Sequence, residues 1–202
     1  MAEPVHPLKV ASVALQYPEP ETHAALAELR VSEVGPAGRR RRGHIAAFLE
    51  WWRSQPLGEL QRDHVERFEL SKRGSLHLTY HLHGDSRQRG LALLRLRQAY
   101  AEAGWDADPV ELPDFLPLML EFAALDPAGM ELLEDQREAI ELIAAAQREE
   151  GSPYAELFAA ITDAMPGLTA RQAGRIRRLA EQGPPREQVG LEPFAPPEVM
   201  PR

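Results

Sequence analysis

The 202-residue chain contains no cysteine. That absence excludes a disulfide framework, a thiolate zinc site, a cysteine nucleophile and any iron–sulfur cluster held on the protein's own sulfurs. Long apolar runs are missing too, and no window reaches the roughly 20 residues of a membrane span. Met1-Ala-Glu-Pro-Val-His-Pro7 has no basic stretch followed by an uninterrupted apolar core, so no secretory leader is expected. The expectation is a cytoplasmic protein with no direct membrane insertion. Positive charge is in short supply: 23 Lys and Arg face 31 Asp and Glu, for a net charge of -8. Such a chain repels phosphate backbones, which argues against nucleic acid and for basic, amphipathic partners. A glycine-rich phosphate loop, an HExxH zinc helix and a supported Ser-His-Asp order are all missing, so no enzymatic activity is expected.

What is present is helical periodicity. Apolar residues recur at spacings of three and four, β-branched residues are sparse and alternating runs are short, which predicts an all-α fold. The spacing predicts a first helix over 9–17 that stops at Pro18, and a second over 21–34 that stops at Gly35-Pro-Ala-Gly38. A third, from Arg39, buries Ile45, Phe48, Leu49 and Trp52 on one face. Pro56 restarts the chain for a fourth carrying Leu57, Leu60, Val65 and Phe68. Residues 76–82 can be read as extended or helical. Asp85 stands where an N-cap is needed, with Gln88 as capping-box partner, ahead of a helix with Leu93, Leu96 and Tyr100 inward that ends at Gly104.

Asp114 can cap the next helix, with Pro117 in its first turn, where the missing N–H costs nothing. Leu116, Met119, Leu120 and Ala123 form one stripe of that helix and Leu118, Phe122 and Leu125 another, leaving Glu121 almost alone among apolar neighbours. A long seventh helix carries Met130, Leu133, Ile140, Ile143 and Ala144 to Gly151, an eighth opens at Ser152-Pro153, and a Thr169/Gln172 capping box opens a ninth. The expected architecture is a single-domain bundle of about nine helices over 1–183, with a proline-rich, disordered tail over 184–202.

Two clusters hold chemistry-bearing side chains. His77, His81 and His83, with Asp85 behind them, have zinc- or iron-ligand chemistry; a helix would turn His83 away from the other two, an extended segment would point all three one way, and the spacing alone does not decide. Arg39-Arg-Arg-Arg42 and the group Arg87, Arg89, Arg95 and Arg97 read as solvated helix faces, the second close enough to Asp85 for an ion pair.

Three segments carry a further signal: Gly74-Ser-Leu-His-Leu-Thr-Tyr-His-Leu-His-Gly-Asp-Ser-Arg-Gln-Arg-Gly90, Gln98-Ala-Tyr-Ala-Glu-Ala-Gly104 and Glu111-Leu-Pro-Asp-Phe-Leu-Pro-Leu-Met-Leu-Glu-Phe122. Together they resemble the NarJ-type chaperones that assemble the molybdenum cofactor into the catalytic subunit of respiratory nitrate reductase, within the wider group of redox-enzyme maturation chaperones. The resemblance implies a chaperone without a cofactor or metal of its own. Its partner would be the N-terminal segment of the apo catalytic subunit, held competent for cofactor insertion and complex assembly. In that group an acidic residue, proline, aspartate and leucines lie beside the groove that accepts the client, and Glu111, Pro113, Asp114, Leu116 and Pro117 match that motif. His83-Gly84-Asp85 also matches, while Phe115 replaces the histidine or tyrosine common among relatives. The implied groove is lined by Tyr80, Leu82, Leu118 and Phe122, with Asp114, Glu121 or Asp85 meeting basic client side chains. The alternatives are a twin-arginine leader-binding chaperone for another molybdoenzyme and, from a different class, a His-liganded metalloenzyme.

Overall fold

The computed structural model describes residues 4–105 and 111–183. Within them the protein is all-α, with eleven α-helices and two isolated β-bridges. The proline-rich tail lies outside the described residues.

Helix α1 (Pro7–Ala14) starts two residues earlier than its apolar pattern suggests, because His6 accepts a hydrogen bond from the Leu8 N–H at 3.3 Å and Pro7 occupies the first turn. Helix α2 (Pro20–Glu28) ends sooner than expected. Its late carbonyls are taken by Arg53 of α3 (Arg39–Ser54), whose guanidinium donates to Ala27 at 2.8 Å and also to Leu29. A helix whose terminal carbonyls have found such a partner gains little by continuing. The chain then makes a 3-10 turn, Val31–Glu33, and Val34 pairs with Val5 in a parallel bridge.

After α4 (Leu57–His64) the backbone widens into a π-helical turn, Val65–Glu69, closed by the Leu70 N–H on the Val65 carbonyl at 2.9 Å. The ambiguous segment resolves as a short helix, α5 (Leu78–His83), followed by α6 (Arg87–Glu102) and α7 (Leu116–Leu125). The expected long seventh helix is two: α8 (Pro127–Asp135), capped by Asp126 through the Ala128 N–H at 2.8 Å, and α9 (Arg137–Glu149). Arg137 fixes the break. It is buried at the first residue of α9, pairs with Glu141, and donates to the Thr162 and Pro166 carbonyls at 3.0 and 3.1 Å. That anchor beyond α10 (Tyr154–Thr162) sets where α9 begins. Helix α11 (Ala170–Gln182) opens with the expected capping box, Thr169 and Gln172 bonding reciprocally.

Helix α7 is the apolar centre of one half, with α1 and α8 against it; α3 and α9 pack on α10 in the other half, and α5, α8 and α11 rest on α9. Phe48 and Trp52 of α3, Phe68 of the π turn and Tyr154 of α10 form an aromatic cluster, their ring centroids 4.9–5.8 Å apart where they touch. Ile45, Leu49, Leu120, Ile140, Ile143 and Phe158 are all shielded from water.

The π turn is fitted to the chain that follows it. A Cβ on Gly74 would lie 1.9 Å from the Arg67 carbonyl oxygen, so the widened turn and residue 74 can touch only because that residue has no side chain. Gly74→Ala is therefore expected to lower stability by about 1–3 kcal/mol. Urea denaturation would measure it, and a variant as stable as wild type would show that the π turn yields freely.

Candidate functional site

Asp114 organises this face of the molecule. It is fully shielded from water, and its carboxylate accepts the Thr79 N–H at 3.1 Å and the Thr79 hydroxyl, with the His77 ring nitrogen Nδ1 at 3.4 Å and Arg89 Nη2 at 3.9 Å. Asp114 does not cap α7, whose N-cap is Phe115 and has no side-chain hydrogen bond. Thr79 stands in the first turn of α5, so Asp114 caps the helix that precedes it by 35 residues. The cap expected at Asp114 thus serves the more distant helix in place of α7, because the tertiary fold brings the two N-termini together.

The backbones repeat the link. Leu78 N–H donates to the Asp114 carbonyl at 3.0 Å and Leu116 N–H to the Leu76 carbonyl at 2.9 Å, an antiparallel bridge centred on His77 and Phe115. Burial pushes the Asp114 carboxyl up, but hydrogen bonds from His77 and Thr79 and the charges of His77 and Arg89 outweigh it and hold it below its ordinary range. Tyr100 secures the same strand of chain from behind by donating to the Pro113 carbonyl at 3.0 Å.

In front of this junction lies a cleft of about 460 Å³. Tyr17, Phe68, Leu76, Tyr80 and Phe115 give it apolar and aromatic walls, Glu69, Lys72, Asp85 and Arg89 charge its rim, and His64 and His77 reach it from two sides. Tyr80 carries the Arg89 guanidinium 5.9 Å from its ring centroid, and Phe115 lies 5.4 Å from the His77 ring. Asp85 is exposed on the rim, 3.8 Å from Arg89. It does not cap α6; Ser86 holds the N-cap position, without a side-chain bond. Between α5 and α6 the chain turns at Gly84, whose φ of 58° side chains rarely tolerate, so the His83-Gly84-Asp85 pattern is a turn requirement.

Of the residues singled out from the sequence, His77, Tyr80, Asp85, Arg89 and Phe115 therefore line the cleft. Pro113, Asp114, Leu116 and Pro117 are buried behind it, and Leu82 and Phe122 belong to the core. Glu121 pairs with Lys9 at the α1–α7 contact, Leu118 is half-buried, and Glu111 is exposed; none of the three is part of the cleft wall. The histidines do not converge. His77 meets Asp114, His81 lies against the Ser75 carbonyl at 2.7 Å, and His83 is pushed below its ordinary pKa by burial and by the charges of Arg175 and Arg95. Among the described residues no three His, Asp or Glu side chains come together as a metal site. Tyr17, His64, Phe68 and Glu69 were missed, because nothing in their spacing distinguishes them from ordinary helix-face residues.

Residues 36–160, which include all of the cleft wall except Tyr17, match the family model described as the nitrate reductase delta subunit. The chain belongs to the nitrate reductase delta subunit family. A protein named a probable nitrate reductase molybdenum cofactor assembly chaperone NarJ, from Bacillus subtilis, is 31% identical over 80% of this chain and 89% of its own length. The Escherichia coli nitrate reductase molybdenum cofactor assembly chaperone NarJ is 37% identical over 50% of this chain and 43% of its own. The nitrate reductase-like protein NarX of Mycobacterium tuberculosis is 39% identical over 75% of this chain, which spans 23% of that relative. The resemblance to NarJ-type chaperones read from the signature segments thus holds. Among the described residues of this delta-subunit protein, no helix is long and apolar enough to cross a membrane.

Because its folded-state pKa is depressed, Asp114 adds stability at pH values above its unfolded pKa of about 3.9 and loses it as pH falls through the lower folded value. Asp114→Asn should cost about 1–3 kcal/mol at pH 7. That deficit should shrink as pH drops below about 4. Urea titrations of both proteins from pH 7 to pH 3 would check this, and a pH-independent deficit would contradict the assignment of the ionised form.

Proposed function

We propose that this protein is an assembly chaperone for the catalytic subunit of respiratory nitrate reductase, and that its cleft holds the N-terminal segment of the apo-subunit. The observation that carries this reading is the aromatic cleft with a charged rim, built by the family-matched part of the chain around the Asp114 junction. Its chemistry suits an amphipathic helix: apolar anchors against Tyr80, Phe68 and Phe115, basic side chains against Glu69 and Asp85. The anchors supply affinity and the carboxylates supply orientation.

Asp114 serves this site from behind. By capping α5 and tethering 112–116 to it, the carboxylate sets the separation of Tyr80 from Phe115 and touches no client atom itself. Holding the client segment would keep the apo-subunit open and away from its membrane partner until the molybdenum cofactor is inserted, after which the chaperone must leave. A dissociation constant near 1 µM, about -8 kcal/mol, suits such a hold.

Calorimetric titration with a peptide copying the N-terminus of the host's nitrate reductase catalytic subunit tests the reading, with the leaders of other molybdoenzymes as controls. Selective micromolar binding is expected, and Tyr80→Ala should weaken it about tenfold through the loss of an aromatic anchor. Absence of binding, or binding to another leader alone, would overturn the client assignment; binding untouched by Tyr80→Ala would move it away from this cleft.

A further inference from the structure

His64 closes α4 and enters the cleft from its inner side. The residue is 5% exposed and its ring lies between two aromatic neighbours, with the Tyr17 centroid at 5.7 Å and the Phe68 centroid at 5.1 Å. Nε2 stands 3.2 Å from the Leu15 carbonyl oxygen. A carbonyl can only accept, so Nε2 must carry the proton and donate. In the neutral ring Nδ1 is then a lone-pair acceptor. It has no hydrogen-bond partner.

The group it faces is another acceptor. Glu69 Oε1 lies 3.7 Å from Nδ1, too far for a direct hydrogen bond, and belongs to the π turn. Two surroundings set the charge of the ring. Burial favours the neutral form, outweighing the Leu15 hydrogen bond and the nearby carboxylates of Glu69 and Asp63. The other cations at the cleft do not fill the gap. Arg89 is engaged by Thr79, Asp85 and Asp114, and among the described residues neither it nor Lys72 forms an ion pair with Glu69.

A buried acceptor without a donor is costly, by roughly 1–3 kcal/mol. A carboxylate and an imidazole lone pair side by side call for a positively charged group with more than one N–H. Anions are repelled and neutral hydroxyls leave the carboxylate uncompensated. A guanidinium meets both requirements with a fixed positive charge and a planar fork of N–H donors, and its faces also stack on rings such as Tyr17 and Phe68.

We infer that His64 Nδ1 and the Glu69 carboxylate form a receiving site for a guanidinium, filled by an arginine side chain of the segment that enters the cleft. The identity of that segment rests on the function proposed above; the guanidinium site rests on its own geometry. The π turn has a role in this arrangement. It brings Glu69, five residues after His64, to the same opening, where a regular helix would carry residue 68 or 67 closest to the ring.

Nitrogen-detected magnetic resonance of the His64 ring at pH 7.5 tests the site with two probes: N-acetyl-argininamide and the client N-terminal peptide, the latter also with each arginine replaced by citrulline. Glu69→Gln is the matched variant, since Glu69 is exposed and its loss leaves the core intact. Both arginine probes should shift the Nδ1 resonance, and Glu69→Gln should weaken the arginine peptide about tenfold while leaving the citrulline peptide unchanged. An Nδ1 shift from argininamide without any peptide binding would keep the guanidinium site and sink the client assignment. Peptide binding that leaves Nδ1 unmoved and Glu69→Gln without effect would overturn the guanidinium site and leave the cleft reading standing. No response to either probe would also overturn it.

Discussion

A single carboxylate shut away from water holds the cleft side of the molecule together. An isolated ionised group of this kind would be prohibitively costly, and Asp114 is tolerable because Thr79, His77 and Arg89 surround it with donors and positive charge. The arrangement makes two distant stretches of chain depend on one another. Helix α5 needs Asp114 to satisfy its first turn, and Asp114 needs α5 to remain charged. Tyr80 and Phe115, one on each stretch, inherit a fixed separation from that mutual need, and the cleft between them exists because it is fixed.

The same economy recurs around the bundle, where chain reversals are held by a polar side chain reaching for backbone. Arg53 closes α2, Arg137 anchors α9 to the chain after α10, Ser12 of α1 donates to the Pro117 carbonyl at 2.8 Å, and Tyr100 holds Pro113. Each ties one segment to another by giving a backbone carbonyl a side-chain donor. Apolar burial supplies the drive to collapse, while these bonds decide where helices begin and stop.

That division explains what the sequence could reveal. Periodicity exposed the buried face of α3 and the Leu116, Met119, Leu120 and Ala123 stripe of α7 correctly, because burial of Phe48 or Leu120 follows from spacing alone, whereas Leu125 of the second α7 stripe is exposed. Boundaries were less legible. Helix α2 was read too long and α8 and α9 as one, since the arginines that end or start them act from elsewhere in the chain. At the cleft, the 74–90 and 111–122 segments that share the family signature are bridged through His77 and Phe115, and Pro113, Asp114, Leu116 and Pro117 stand buried behind it. Its other wall comes from Tyr17 and from a π turn, whose register a 3.6-residue pattern cannot represent.

Helix α11 offers a different lesson about how such a molecule is layered. None of its residues is buried, it rests on α9, and it follows the stretch matched to the family. Its four arginines, Arg171, Arg175, Arg177 and Arg178, give it a character opposite to that of the acidic chain as a whole. An element that meets the core only through a half-buried side chain, Leu179, is one whose attachment can be loosened at small cost to the fold. Recharging this outer layer would therefore be felt beneath it first through Arg175, which pairs with Glu138 of α9 at 3.1 Å and whose charge acts on His83.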